Sequence, residues 1–278
     1  MKLYSKRFAL LMIFIICAIT FFIWQNNTIV VTNYNYINAK LPSAFEGCKI
    51  VQISDLHSKD FNGRLSKKIQ EAKPDIIVIT GDLIDRRDTN TDVVDKLLAQ
   101  ISPLAPVFFV SGNHEQSTKE YSALKETFKK YNVTVMDNYY VKLEKGVSVI
   151  GLMGIADPEV QKEDSDAVYM EKGLKALMQQ SKTDFNILLS HRPEQFNVYQ
   201  NMKVDLVFSG HAHGGQIRLP FIGGLVAPNQ GYFPKYTSGI YSQGATSMVV
   251  SRGLGNSIFP IRIFNPPEIV VVTLKWVK

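Results

Sequence analysis

VDLVFSGHAHGG, residues 204–215, joins an apolar run of strand length to two histidines one residue apart. Taken alone, His211 and His213 could be metal ligands or polar residues in a glycine-rich turn. The rest of the chain decides, because the same form recurs. KIVQIS runs into Asp55-Leu56-His57, DIIVIT into Gly81-Asp82, VFFVS into Gly112-Asn113-His114-Glu115, and FNILLS into His191. Each time an apolar run ends in Ser or Thr and a ligand-capable residue comes next. Near-continuous apolar runs of this length read as strands buried on both faces.

Between several of these runs lie helix-like segments. RLSKKIQEA, TDVVDKLLAQI and KEYSALKETFKKY carry apolar residues three and four apart, with charges elsewhere. Strand alternating with helix implies an α/β domain. In such sheets the loops at the carboxyl ends of the strands meet in one crevice. Polar clusters spread from residue 55 to residue 213 are therefore expected at one sheet edge. The later runs VSVIGLMGI, SMVVSRGL and PEIVVVTLKWV lack long intervening helices and read as a more antiparallel second sheet packed on the first.

The chain has 5 histidines, and all of them fall in these clusters. Histidines kept for packing or for the surface would scatter. Asp55, Asp82, Asn113 and the histidines supply oxygen and imidazole donors without thiolate, a mixture that suits Zn, Mn or Fe better than Ca or Mg. These eight candidates exceed what one tetrahedral ion takes and suffice for two ions that share a carboxylate.

The ordered blocks D-x-H, G-D-x-x-D, G-N-H-[DE], H and G-H-x-H resemble the calcineurin-like metallophosphoesterase superfamily over residues 48–215. The anchor described below and the extended GHAHGGQ further resemble a bacterial membrane-associated branch. The resemblance implies a four-layer α/β/β/α sandwich of two mixed sheets flanked by helices, and a two-metal phosphoesterase acting on phosphate mono- or diesters. It implies Asp55, His57, Asp82 and His213 on one ion and Asp82, Asn113, His191 and His211 on the other. A water deprotonated by the metals would attack phosphorus. His114 would hydrogen-bond the phosphoryl oxygen or protonate the leaving oxygen. The other reading on this fold is a metal-stabilised scaffold without turnover.

Other residues carry weaker expectations. Glu115 is expected to orient a nearby imidazole. Asp85 reads as a structural carboxylate beside the site, paired with Arg86. Arg192 and Arg252 are candidates for substrate phosphate, since guanidinium matches its geometry. Gly81, Gly112 and Gly210 stand where strands must turn sharply. The resemblance puts His211 and His213 on different ions; since residues two apart share a face in extended backbone, the glycines of the last block are then expected to bend the chain between them.

Outside the domain, FALLMIFIICAITFFIW, residues 8–24, is uncharged. As a helix it spans roughly 25 Å, slightly less than the ~30 Å hydrocarbon core. Lys2, Lys6 and Arg7 precede it and Trp24 ends it, so the positive-inside rule places the N-terminus in the cytoplasm and the domain outside. The run reads as a single-pass anchor; a cleaved signal is the alternative. Residues 25–46 read as a stalk or edge strand, and 47–278 as the catalytic domain. Cys17 and Cys48 offer neither a disulfide framework nor a metal pair and read as small buried hydrophobes. The net charge of +6 suits a membrane surface or anionic substrates, and there is no nucleic-acid-binding signal. The segment from Ile217 to Tyr241 is rich in Gly, Pro and aromatics and reads as an irregular loop beside the site, either an apolar wall for a lipid-linked phosphate or a loop folded onto its own core.

Overall fold

The computed structural model describes residues 2–88, 90–256 and 260–277, with 2–5 described by backbone only. The side chain of Lys2 therefore lies outside the described residues. The chain opens with α1 (Lys2–Asn27) and β1 (Val30–Asn38). Then come β2 (Lys49–Ile53), α2 (Arg64–Ala72), β3 (Ile76–Thr80), α3 (Asp92–Ile101) and β4 (Val107–Val110). A short α4 (Asn113–Gln116) precedes α5 (Tyr121–Lys130) and β5 (Thr134–Val135). The second half holds β6 (Tyr139–Lys145), β7 (Ser148–Gly154), α6 (Asp166–Gln180), β8 (Asn186–Leu189), α7 (Phe196–Asn201) and β9 (Leu206–Ser209). Two small hairpins come next, β10 (Arg218–Leu219) with β11 (Gly223–Gly224), and β12 (Val226–Ala227) with β13 (Gly231–Tyr232). Strands β14 (Gly239–Gln243), β15 (Thr246–Val250) and β16 (Glu268–Trp276) complete the fold.

Two 6-stranded sheets result, ordered β1-β16-β2-β3-β4-β5 and β14-β15-β9-β8-β7-β6. Period-two alternation assigns each strand's two faces. Ile76 and Val78 of β3 join Leu206 and Phe208 of β9 and Ile187 and Leu189 of β8 in the core between the sheets. Ile77 and Ile79 face the other way, onto Leu65 and Ile69 of α2, Leu97 and Leu98 of α3, and Leu124 and Phe128 of α5. Leu188 and Val207 turn outward onto Met170, Leu174 and Leu177 of α6 and Phe196 and Tyr199 of α7. Helix, sheet, sheet and helix thus form the four layers. Burying each such side chain is worth roughly 1.5–3 kcal/mol relative to exposure.

The second sheet departs from the antiparallel expectation, and the PEIVVVTLKWV run expected in it is β16 of the first sheet, antiparallel to β2 and parallel to β1. β7, β8, β9 and β15 run parallel, and only the edge strands β6 and β14 are antiparallel. Helices α6 and α7 supply the crossovers that parallel neighbours require, and the segment after His213 returns the chain from β9 to β15. That segment is also less irregular than expected, since it contains both small hairpins.

Residues 30–38 pair with β16 along their whole length, and Tyr36, Leu41 and Phe45 are buried. This part of the expected stalk is an integral edge of the first sheet. Cys48 lies in the inter-sheet core, whereas Cys17 is exposed. The exposure of Cys17 follows from α1, which projects from the domain with its apolar side chains largely uncovered. Among the described residues, α1 is the one helix long and apolar enough to cross a membrane.

Candidate metal centre

The loops after β2, β3, β4, β8 and β9 converge, and they bring all five histidines with them. One group gathers Asp55, His57, Asp82 and His213; a second gathers Asp82, His191 and His211; a third places Asp85 between His57 and His114. Asp82 belongs to the first two. Its Oδ1 accepts the His114 backbone N–H at 2.9 Å. Its Oδ2 lies 3.7 Å from His57 Nε2 and 3.2 Å from His191 Nε2. One carboxylate oxygen therefore faces both clusters.

Imidazole nitrogens confront one another on each side. His57 Nε2 is 3.1 Å from His213 Nε2, and His191 Nε2 is 3.1 Å from His211 Nδ1. Asp55 Oδ1 lies 3.3 Å from His213 Nε2. Asn113 joins His211 and Asp82 in lining the same pocket, and its buried Oδ1 has no protein partner. An oxygen so placed, with imidazoles converging in pairs, fits ions bound on both sides of Asp82. The Thr80 carbonyl accepts from His191 Nδ1 at 2.7 Å, which sets that tautomer and leaves Nε2 toward Asp82.

Protonation supports the same picture. Burial pushes His57 down to about 4 and holds His211 and His213 well below the ordinary imidazole range. Neutral imidazole is the ligating form. His191 is the exception: burial opposes its charge, but the Asp82 carboxylate beside it raises it to about 10. Burial likewise opposes ionised Asp82, yet His191 and His57 hold it well below the usual carboxylate range. A metal held on that side by Asp82, His191 and His211 would take the place of the His191 proton.

The backbone is bent where the ligands sit. Asp55, His57, Asp82, His211 and His213 all have left-handed φ, between 47° and 63°. The bend that separates His211 from His213 is thus in the histidines themselves, whereas the glycines were expected to make it. Gly81 does turn sharply, with φ 87°. Gly210 serves close approach: a Cβ there would lie 1.9 Å from Ser54 Oγ and 2.5 Å from Asp55 Oδ2.

The pocket over this centre has a volume of about 320 Å³ and is lined by Asp82, Arg86, Asn113, His114, Glu159, Asp166, Arg192, His211, His213, Pro228 and Asn229. His114 Nδ1 accepts the Arg86 backbone N–H at 3.1 Å, so the neutral ring carries its hydrogen on Nε2. Arg192 is clamped by Asp157 through bonds of 2.6 and 2.7 Å, and its guanidinium lies 3.4 Å from His211 Nε2.

Three expectations change. Arg252 is outside the pocket and pairs with Glu268 of β16 at 2.8 Å. Glu115 orients no imidazole: its carboxylate accepts the backbone N–H groups of Asp82, Gly112 and Ile84 at 2.8, 2.8 and 3.2 Å, tying two ligand loops together. The partner of Asp85 is Arg87, at 2.6 Å, while Arg86 faces the pocket.

Sequence reading missed Asp157, Asn229, Arg262 and Asn265. Asp157 comes after the β7 run as the other polar residues come after theirs, and that was the available signal. Asn229 Oδ1 lies 3.3 Å from His211 Nε2. Asn265 Nδ2 donates to the carbonyls of His213 and Gln216 at 2.7 and 3.0 Å. Arg262 stands 3.5 Å from His213 Nδ1 and donates to the Arg252 and Gly255 carbonyls.

The chain is similar to known proteins. The family described as calcineurin-like phosphoesterase matches residues 48–215. A Bacillus subtilis (strain 168) protein named uncharacterized metallophosphoesterase YkuE is 35% identical over 253 residues, which cover 88% of this chain and 85% of that protein. An uncharacterized metallophosphoesterase of Aquifex aeolicus is 30% identical over 254 residues, covering 88% and 91%. A Danio rerio transmembrane protein with a metallophosphoesterase domain is 28% identical, covering 85% of this chain and 55% of its own length. The crystal structure of TT1561 from Thermus thermophilus superposes with a TM-score of 0.50 at 14% identity, covering 74% of this chain and 90% of that one, a likeness of fold. With the fold, the convergent carboxylate and imidazole groups and these matches in hand, the chain belongs to the calcineurin-like phosphoesterase family and is a metal-dependent phosphoester hydrolase.

Proposed function

We propose that the chain is a membrane-anchored two-metal phosphoesterase. Asp55, His57, Asp82 and His213 hold one ion, and Asp82, Asn113, His191 and His211 hold the other. The observation that carries this reading is Asp82 Oδ2, which faces His57 and His191 at once. The donors are imidazole, carboxylate and amide oxygen, which suits Mn, Zn or Fe. Such ions, when bound, neutralise phosphoryl charge and lower the pKa of a coordinated water.

The chain's own residues do the rest. His114 presents a neutral Nε2–H beside the pocket. It can donate to a phosphoryl oxygen or hand a proton to the departing ester oxygen, and Arg86 N–H fixes its tautomer. Arg192, held in place by Asp157, offers a guanidinium edge at the pocket for a phosphate oxygen. Asn229 reaches over His211 from the β12–β13 turn and narrows the entrance.

In this reading α1 spans the membrane and Lys6 and Arg7 keep its N-terminus in the cytoplasm, so the catalytic domain is extracytoplasmic. The substrate is a phosphoester at the membrane surface, carried by a lipid. Support comes from the exposed apolar residues Leu219, Phe221, Ile222, Tyr232 and Phe233, on and beside the two hairpins next to the site.

The test uses the full chain in lipid nanodiscs supplied with Mn or Zn. It should hydrolyse p-nitrophenyl phosphate or its bis-diester, and a phospholipid phosphoester faster than a soluble one. Absence of hydrolysis of every ester with every metal would overturn the reading. Equal rates on lipid and soluble esters would remove the lipid substrate.

A further inference from the structure

The last turn of α1 is built into the domain. Gln25 is 3% exposed, and its Oε1 accepts the Asn265 N–H at 3.1 Å. Asn26 exchanges two hydrogen bonds with the Arg262 backbone, at 2.9 and 3.3 Å. The final helix carbonyls, which have no partner within the helix, are taken by cations: Lys59 donates to Asn26 O, and Arg64 to Asn27 O at 3.2 Å. The helix therefore leaves the domain in a fixed direction.

One turn earlier, Phe21 meets Phe264, with ring centroids 5.5 Å apart. Phe21 belongs to the uncharged run, so Phe264 sits about 5 Å along the helix axis beyond the domain-bound turn. Phe264 is still 52% exposed, and Ile261 beside it 43%. Their segment is bonded to the β10–β11 hairpin, where Arg218 N–H donates to Ile263 O at 3.0 Å. The tip of that hairpin carries Phe221, fully exposed, and Ile222. On another side of the helix foot, Arg64, Lys67, Lys68 and Glu71 of α2 line a groove with Asn27, Thr28 and Ile29; Lys68 pairs with Glu71 at 3.4 Å, and the cations outnumber the carboxylate.

We infer that the foot of α1 is a second membrane-contact surface. Phe221, Ile222, Ile261 and Phe264 enter the boundary between headgroups and acyl chains, and the α2 cations meet anionic headgroups. The inference rests on α1 spanning the bilayer, and the occupant is set by continuity with that helix. An aromatic ring packed on a membrane-spanning side chain, yet half exposed, has the lipid as its remaining neighbour. The consequence for the site is positional. Gly224 of the hairpin packs directly on Gly215, two residues after His213. The metal loops are thus held at a fixed height over the bilayer, close to headgroup phosphoesters.

The experiment, in a Cys48→Ala background throughout, places an environment-sensitive fluorophore on single cysteines of the full chain, in nanodiscs of phosphatidylcholine and phosphatidylglycerol containing a spin-labelled lipid. Native Cys17 reports the helix. In a Cys17→Ser background, Phe221→Cys and Ile222→Cys report the hairpin. Val147→Cys, on the remote turn between β6 and β7, is the control. We expect strong quenching at 17, quenching at 221 and 222 of at least half that extent, and none at 147. Strong quenching at 17 with 221 and 222 as silent as 147 would overturn the surface and spare the anchor. Silence at 17 would overturn the anchor and with it this inference. Quenching at 221 should also weaken when phosphatidylglycerol is omitted, or in a Lys67→Glu, Lys68→Glu variant; no change in either would remove the basic half.

Discussion

The two sides of Asp82 share an oxygen and differ in almost everything behind it. On one side, Asp55, His57 and His213 complete a buried set of two carboxylates and two imidazoles. His213 is gripped there by Asn265, whose backbone N–H also holds Gln25 of the N-terminal helix. On the other side, Asp82 is the one carboxylate, and His211 looks into the pocket between Arg192 and Asn229. In the proposed centre each side has four protein donors, and His213 and His211 both line the pocket; what differs is the backing, Asn265 and the N-terminal helix behind His213 and the pocket residues Arg192 and Asn229 around His211. The contrast teaches a difference in support within the proposed centre: one ion position is tied through Asn265 to the N-terminal helix, and the other is framed by the polar pocket residues Arg192 and Asn229.

The largest blow to this comparison is removal of the oxygen that the sides share. Asp82→Asn should strip both ions and reduce hydrolysis by about 1,000-fold or more, read by metal analysis and by p-nitrophenyl phosphate turnover. Next, His213→Ala and His211→Ala should each leave one metal equivalent, on opposite sides. If both variants lost the same ion, as judged by Mn electron paramagnetic resonance, the two-sided description would be wrong. A subtler test is Asn265→Ala, which leaves every candidate ligand intact. It should weaken metal binding on the His213 side by about 10- to 100-fold while sparing the other.

The smallest effect is a pH signature. The raised pKa of His191 means its contribution to stability is present below about pH 6.5 and is lost as pH rises through about 10. Chelator-treated protein should therefore lose melting temperature steadily from pH 7 to 10. Metal-loaded protein should not, because the ion has replaced that proton. Identical profiles would show that the Asp82–His191 pair does not govern the second side.

The candidate ligands were legible because a buried strand has to end, and the residues just past Ile53, Thr80, Val110, Leu189 and Ser209 are chemically conspicuous. The supports were not. Arg192 and Arg252 look alike in sequence, and only the three-dimensional neighbours Asp157 and Glu268 separate a pocket residue from a strand-end ion pair. Glu115 is next to His114 in the chain, which suggested an imidazole partner, but the α4 turn aims it at backbone amides. Arg262 and Asn265 lie some fifty residues from His213 in a segment without periodicity, so nothing local pointed to them. The parallel second sheet was hidden for a similar reason: α6 went unrecognised, and with it the crossover between β7 and β8.

The left-handed ligands also bear on how the molecule is assembled. Asp55, His57, Asp82, His211 and His213 each occupy a conformation that costs about 1–2 kcal/mol for a residue with a Cβ. We therefore expect the hydrophobic layers to fold first and the loops at their edge to settle last. With the proposed ions, metal uptake would then be the final maturation step of the chain. Limited proteolysis should show it, with cleavage around residues 54–58 and 209–216 fast in chelated protein and suppressed once the ions are supplied.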